Sequence, residues 1–92
     1  MGKQPGRMNL YKGKHNLGGE KIRQARKEKD MTQDQLAGQL QLYGFTYGRG
    51  TIIRIEQGRQ QIPDYLLKYF ALILGKPIDW FLSEDDDEEK DQ

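Results

Sequence analysis

No segment of the 92 residues alternates apolar and polar side chains convincingly, and valine is absent. A half-buried strand needs that alternation, usually filled by β-branched and aromatic residues. The chain is therefore expected to fold from helices alone. Short apolar groups at helical spacing, each cut off by glycine, proline or a polar stretch, mark five of them. The first runs from Gly19 to Asp30, with Ile22 and Ala25 inward and Lys21, Lys27, Glu28 and Lys29 outward. The second has the clearest start: Thr32 and Gln35 make a capping box, and Met31 and Leu36 stand at the staple positions around it. Leu36, Ala37 and Leu40 give it one apolar face, which Tyr43 can extend. After a stretch rich in glycine and aromatics, Tyr43 to Gly50, the third helix covers Arg49 to Gln57. Ile52 and Ile55 point inward there, and Gly58 is the stop. The fourth covers Asp64 to Leu74 and ends at Gly75. A short fifth, Ile78 to Leu82, follows Lys76-Pro77 and carries Trp80 and Phe81. The expected fold class is all-α: a compact bundle of five short helices in one small domain, residues 19–82.

Charge divides the chain more sharply than its net +1 suggests. Residues 83–92 hold seven acids and one lysine, net −6; the other 82 hold 14 Lys/Arg and 7 Asp/Glu, net +7. A basic body implies a polyanionic partner. Residues 83–92 read as a disordered acidic tail. Residues 1–18, with Arg7, Lys12 and Lys14 but little apolar periodicity, read as a flexible basic arm. That arm either reaches a DNA groove or backbone or is a plain disordered tail.

Whole classes of chemistry lack their raw material. The chain has no cysteine, one histidine (His15) and one serine (Ser83). Nucleophilic triads and clustered metal ligands are not expected, nor is a phosphate-binding Gly-Lys-Ser/Thr loop. The expectation is a protein that is not an enzyme and uses no cofactor and no metal. Without cysteine, a signal-peptide pattern or a long apolar run, a cytoplasmic setting away from the membrane is expected.

Four pieces occur in a meaningful order: Ile22-Arg-Gln-Ala-Arg26, Met31-Thr-Gln-Asp-Gln-Leu-Ala37, Thr51-Ile-Ile-Arg-Ile-Glu-Gln-Gly58, and Ala71-Leu-Ile-Leu-Gly75 leading to Ile78-Asp-Trp-Phe-Leu82. Together they resemble the Cro/lambda-repressor (Xre-type) helix-turn-helix family. The resemblance implies that the third helix lies in the major groove of DNA with its N-terminal residues at base edges. It makes Arg49, Gly50 and Arg54 the main base-reading positions, and it implies an ion pair between Arg26 and Glu56 bracing the first helix to the third. It also places the capped helix start at Thr32 and Gln33 beside a phosphate. The chain departs from the family by carrying extra residues between its second and third helices.

The residues themselves point the same way. Arg49 and Arg54 lie on the polar side of the third helix, and bidentate arginine to guanine is the commonest specific base contact. The plainer alternative is that both are solvated cations or touch only phosphate. Thr51 and Ile53 are weaker base-reading candidates, and Gly50 has no side chain to read with. Gln33, Arg59 and Gln57 are candidates for phosphate contact. Tyr65, Tyr69 and Leu72 fall at i, i+4 and i+7, off the main face of the fourth helix. With Trp80 they suggest a homodimer interface; the alternative is packing under the fifth helix or the arm.

The expected function is a sequence-specific transcriptional regulator, a repressor, reading a palindromic operator in double-stranded DNA as a homodimer. One alternative is an antitoxin-like or phage-type regulator that also holds a partner protein. Another is a protein-interaction adaptor that keeps the fold without DNA binding. A single-strand role through Tyr43, Phe45, Tyr47 and Arg49 is a further possibility, although these aromatics more simply pack the lengthened turn.

Overall fold

The computed structural model describes residues 10 and 12–83. The acidic tail after Ser83 and the beginning of the basic arm, Arg7 included, lie outside them. Five helices follow in order: α1 (Gly19–Glu28), α2 (Gln33–Leu42), α3 (Arg49–Glu56), α4 (Asp64–Leu74) and α5 (Ile78–Leu82). No strand forms among the described residues. All five helices contribute to one core, in which Ile22, Leu36, Leu40, Ile52, Ile55, Phe70 and Phe81 are fully buried. Each such side chain contributes about 1.5–3 kcal/mol through removal from water. α3 rests on α1 and α2, while α4 closes the core from the other side against α1, α2 and α5.

The capping box forms as the spacing predicts. The Gln35 backbone N–H donates to Thr32 Oγ1 at 3.0 Å, and the Thr32 N–H donates to Gln35 Oε1 at 2.8 Å. Met31 packs against the core beneath it. α2 ends because Gly44 takes φ +94, a left-handed conformation that favours glycine. The Phe45 N–H then turns back onto the Leu40 carbonyl at 3.1 Å, so the chain leaves α2 with Phe45 directed at α4. The aromatics of the lengthened turn become packing material there. Phe45 stacks on Tyr47 and Tyr65, and both Phe45 and Tyr43 meet Tyr69, with ring centroids 5.0–6.2 Å apart.

Three expectations need correction. α1 stops at Glu28, not Asp30, because Asp30 turns to φ +54 and redirects the chain toward α2. Lys21 is not outward but buried: its stem is covered, and Nζ lies 4.7 Å from the Trp80 ring centre and 3.0 Å from Ser83 Oγ. A lysine can bury its methylenes when its ammonium keeps a polar or aromatic neighbour. The stretch expected to be a flexible arm is tied down at its inner end. The His15 N–H donates to the Gly58 carbonyl at 2.8 Å, Lys14 pairs with Glu20 at 2.8 Å, and Gly18 is buried.

Asn16 organises that junction. Its Nδ2 donates to the Ile55 carbonyl at 3.0 Å and the Gln60 carbonyl at 2.7 Å, and its Oδ1 accepts the Gly19 N–H at 2.8 Å. One side chain thus caps α1 and satisfies carbonyls at the end of α3 and in the α3–α4 connection. The backbones approach so closely that a Cβ at Gly19 would overlap the Ile55 carbonyl oxygen. Gly19→Ala is expected to destabilise the fold by about 1–3 kcal/mol, the usual cost of forced overpacking. Thermal melting checks this: the expected drop is roughly 5–20 °C for a domain of this size, and a parental melting temperature would contradict the close approach.

At the far end of α1, Lys76 lies 3.1 Å from Glu28. Lys76, with Gln24 assisting, holds the Glu28 carboxyl below its ordinary value. A group whose pKa is lowered by folding contributes stability above its unfolded pKa and loses it as pH falls through the folded value. On so exposed a carboxylate the contribution is small.

Candidate nucleic-acid interface

The start of α2 lies against α3, with Asp34 3.7 Å from Arg49 at the beginning of α3 and Gln33 bonded to Glu56 at its end. Each helix start leaves its first N–H groups without an intrahelical partner. Thr32 takes one such donor at α2, and the Gln33 and Asp34 N–H groups lie ahead of the first helical bond. At α3 the N-cap is Gly48, which has no side chain to close the end. An added Cβ at Gly48 would meet nothing within 4 Å. The start of α3 is therefore bare backbone, open to a close approach.

Along the outward side of α3, Arg49, Gly50, Arg54 and Gln57 are exposed, while Thr51 and Ile53 are half-buried. The side chains are not equally placed. Arg54 is held by two hydrogen bonds, to Gln60 and Thr51. Among the described residues Arg49 has only a loose pairing with Asp34 at 3.7 Å, both side chains being more than half exposed; such a pair contributes about 0–1 kcal/mol. Arg59 donates to Gln57 Oε1 at 2.8 Å, on the surface just past α3.

Gln33 takes a position that its place after the cap does not suggest. Its amide turns inward, and Nε2 donates to Glu56 Oε1 at 3.1 Å. That carboxylate already accepts Arg26 Nε at 2.6 Å and Nη2 at 2.9 Å, a two-pronged pair at the α1–α3 contact. Both charged side chains are almost wholly covered, 9% and 2% exposed. Arg26 also donates to the Met31 carbonyl at 2.9 Å. The Gln33 side chain thus joins the brace between α1, α2 and α3, leaving its backbone N–H at the surface of the α2 start.

An open groove beside this brace is lined by Arg23, Gln24 and Lys27 of α1, Gln33 of α2, and Ile53 and Gln57 of α3. Arg23 and Lys27 make no ion pair among the described residues, and the two outer acids on the same wall are engaged elsewhere, Glu20 with Lys14 and Glu28 with Lys76. Neither cation was legible as part of this face, because only the folded chain shows that one side of α1 lies next to the α2 start. Asn16 and Gln60 were equally hidden. An asparagine shortly before a helix is a capping signal, but nothing local reveals a partner 44 residues away.

The residues expected at a dimer interface do not form one exposed stripe. Tyr65 and Leu72 are 56% and 59% exposed. Tyr69 is half-buried under Tyr43 and Phe45. Trp80 is half-buried, lying edge-on to Phe81 with Lys21 and Lys76 each 4.7 Å from its ring centre. No group of metal-ligating side chains occurs among the described residues, and none of their helices is long and apolar enough to cross a membrane.

A five-helix bundle whose second and third helices pack on one another is the arrangement of a helix-turn-helix fold. The chain belongs to the helix-turn-helix domain family, of the Xre/Cro-like type, whose match spans residues 19–86. No curated protein and no solved structure gave a match.

Proposed function

We propose that the protein is a sequence-specific transcriptional regulator, acting as a repressor in the cytoplasm. In this reading it binds a palindromic operator in double-stranded DNA as a homodimer, with α3 in the major groove. The observation that carries it is the outward face of α3, where Arg49 stands exposed at a helix start with no side-chain cap and Arg54 stands exposed in the last turn. Arginine matches the O6 and N7 acceptors of guanine, and helix starts bind phosphate oxygens. Arg49 and Arg54 therefore read bases, with Gly50, Thr51 and Ile53 lining the same approach. Thr32, Gln33, Gln57 and Arg59 face phosphates. The basic body supplies sequence-independent attraction. Tyr65 and Leu72 are the exposed apolar side chains of α4 left for a second copy.

Selection of bound duplexes from a random DNA pool tests this reading. The expected result is one enriched motif, repeated with inverted symmetry about one helical turn (roughly 34 Å) apart. No enrichment would contradict base reading, and an unrepeated motif would contradict the symmetric dimer.

A further inference from the structure

Arg54 is the one arginine of the α3 face whose guanidinium is fixed from two directions. Its Nε donates to Gln60 Oε1 at 3.0 Å, and its Nη2 donates to Thr51 Oγ1 at 3.2 Å. A guanidinium offers two kinds of paired donors, a side-on pair that includes Nε and an end-on pair made of Nη1 and Nη2. The Gln60 bond engages Nε and the Thr51 bond one of the two N–H groups of Nη2, so the donors left for an outside acceptor are both N–H groups of Nη1 and the second of Nη2, the atoms of the end-on edge. Gly50 leaves room beside Nη1: a Cβ there would lie 3.5 Å from it, in van der Waals contact. The end-on pair suits the O6 and N7 acceptors on the major-groove edge of guanine.

Gln60 is itself fixed. It lies half-buried in the connection between α3 and α4, and its carbonyl accepts Asn16 Nδ2 at 2.7 Å. Asn16 in turn is bonded to the end of α3 through the Ile55 carbonyl and to the start of α1 through the Gly19 N–H. The Gln60 backbone is thus pinned to the α1–α3 junction, and its side chain reaches back to Arg54. Arg49 has no comparable support, since its neighbour Asp34 stands 3.7 Å away on an exposed surface.

We propose that Gln60 is a positioning residue for base reading: by holding Nε of Arg54, it presents Nη1 and Nη2 as a fixed pair to one guanine in each half-site. The proposal rests on the α3 reading above and adds a residue outside the helix-turn-helix on which specificity depends. Holding the side chain in advance removes part of the ordering cost of binding. Because the end-on pair matches guanine and not adenine, the gain falls on the correct base.

The test uses the full chain and the duplex that it selects from a random pool. The readout is the Kd for a duplex in which the guanine read by Arg54 is replaced by adenine in one half-site, divided by the Kd for the selected duplex. Arg54→Ala identifies that guanine and is expected to lower the ratio on the order of 5- to 150-fold. Gln60→Met keeps the shape of the side chain but removes the acceptor, and is expected to lower the ratio about 2- to 10-fold, the worth of one pre-ordered side chain. Gln60→Glu restores an acceptor for Nε and is expected to restore the ratio, while its added charge weakens binding to both duplexes alike. In the Arg54→Ala background, Gln60→Met is expected to change nothing further.

If Arg54→Ala lowers the ratio and Gln60→Met does not, the positioning role is wrong and the α3 reading stands. If Gln60→Met lowers the ratio equally with or without Arg54, Gln60 acts by another route and the proposal fails. If Arg54→Ala leaves every guanine preference intact, the α3 reading of Arg54 fails and the proposal falls with it.

Discussion

Glu56→Ala is expected to lower the unfolding free energy by about 3–5 kcal/mol, which in a domain this small is roughly 12–40 °C in melting temperature. The size follows from what the substitution leaves behind. Arg26 is almost wholly covered, and its guanidinium lies against Glu56 with two hydrogen bonds. Without the carboxylate, a buried cation keeps only the Met31 carbonyl as a described partner. Gln33 also loses the acceptor for its Nε2, so the start of α2 loosens together with the α1–α3 contact. Arg26→Ala is expected to cost a similar amount by stranding the carboxylate. Replacing both charged residues by apolar ones of similar size is expected to cost clearly less than the sum of the two single changes, because neither charge is then left unpaired. Chemical denaturation of the two single variants and the double variant checks all three values. Single variants that unfold like the parent would contradict the bracing role.

The second large effect concerns recognition. Arg49→Ala and Arg54→Ala are each expected to remove on the order of 1–3 kcal/mol of discrimination at one position of each half-site. Arg59→Ala is expected to weaken binding to all sequences about equally and to lower the salt slope by about one, since a phosphate contact carries no sequence information. Repeating the duplex selection with each variant separates the two kinds of effect. The positions assigned to Arg49 and Arg54 should flatten in the recovered motif, and the Arg59→Ala motif should match the parent. Of the two base readers, Arg54 is expected to matter more per contact, because it is already held in place while Arg49 must first be ordered. If the Arg49 and Arg54 variants recover the parental motif, base reading does not reside in these residues.

Much of the scaffold was legible because its signals are local. The Thr32–Gln35 capping box, the glycine stop at Gly75 and the apolar spacing of α4 are each readable within a dozen residues, and those elements form where expected. What was not legible depends on distant partners. Lys21 reads as a surface cation until Trp80 and Ser83 of the last helix turn cover it. Asn16 reads as part of a loose arm until Ile55 and Gln60 supply carbonyls that need a donor. Tyr69 reads as an unpartnered apolar residue until the extra residues after α2 carry Tyr43 and Phe45 over it. The same separation governs the interface. The residue types on α3 announce arginine at base-reading positions, but which arginine is held, and by what, depends on a loop residue tied to the N-terminal segment.

In the proposed function the α2–α3 face of this domain lies against duplex DNA. Backbone amide shifts recorded while the full chain is titrated with its selected duplex test it most directly. The largest changes are expected on residues 32–34, 48–57 and 59–60, with the exposed α4 side around Tyr65 and Leu72 changing only where a second copy meets it. Largest changes on the aromatic surface of Tyr43, Phe45 and Tyr65, with α3 left unmoved, would contradict it.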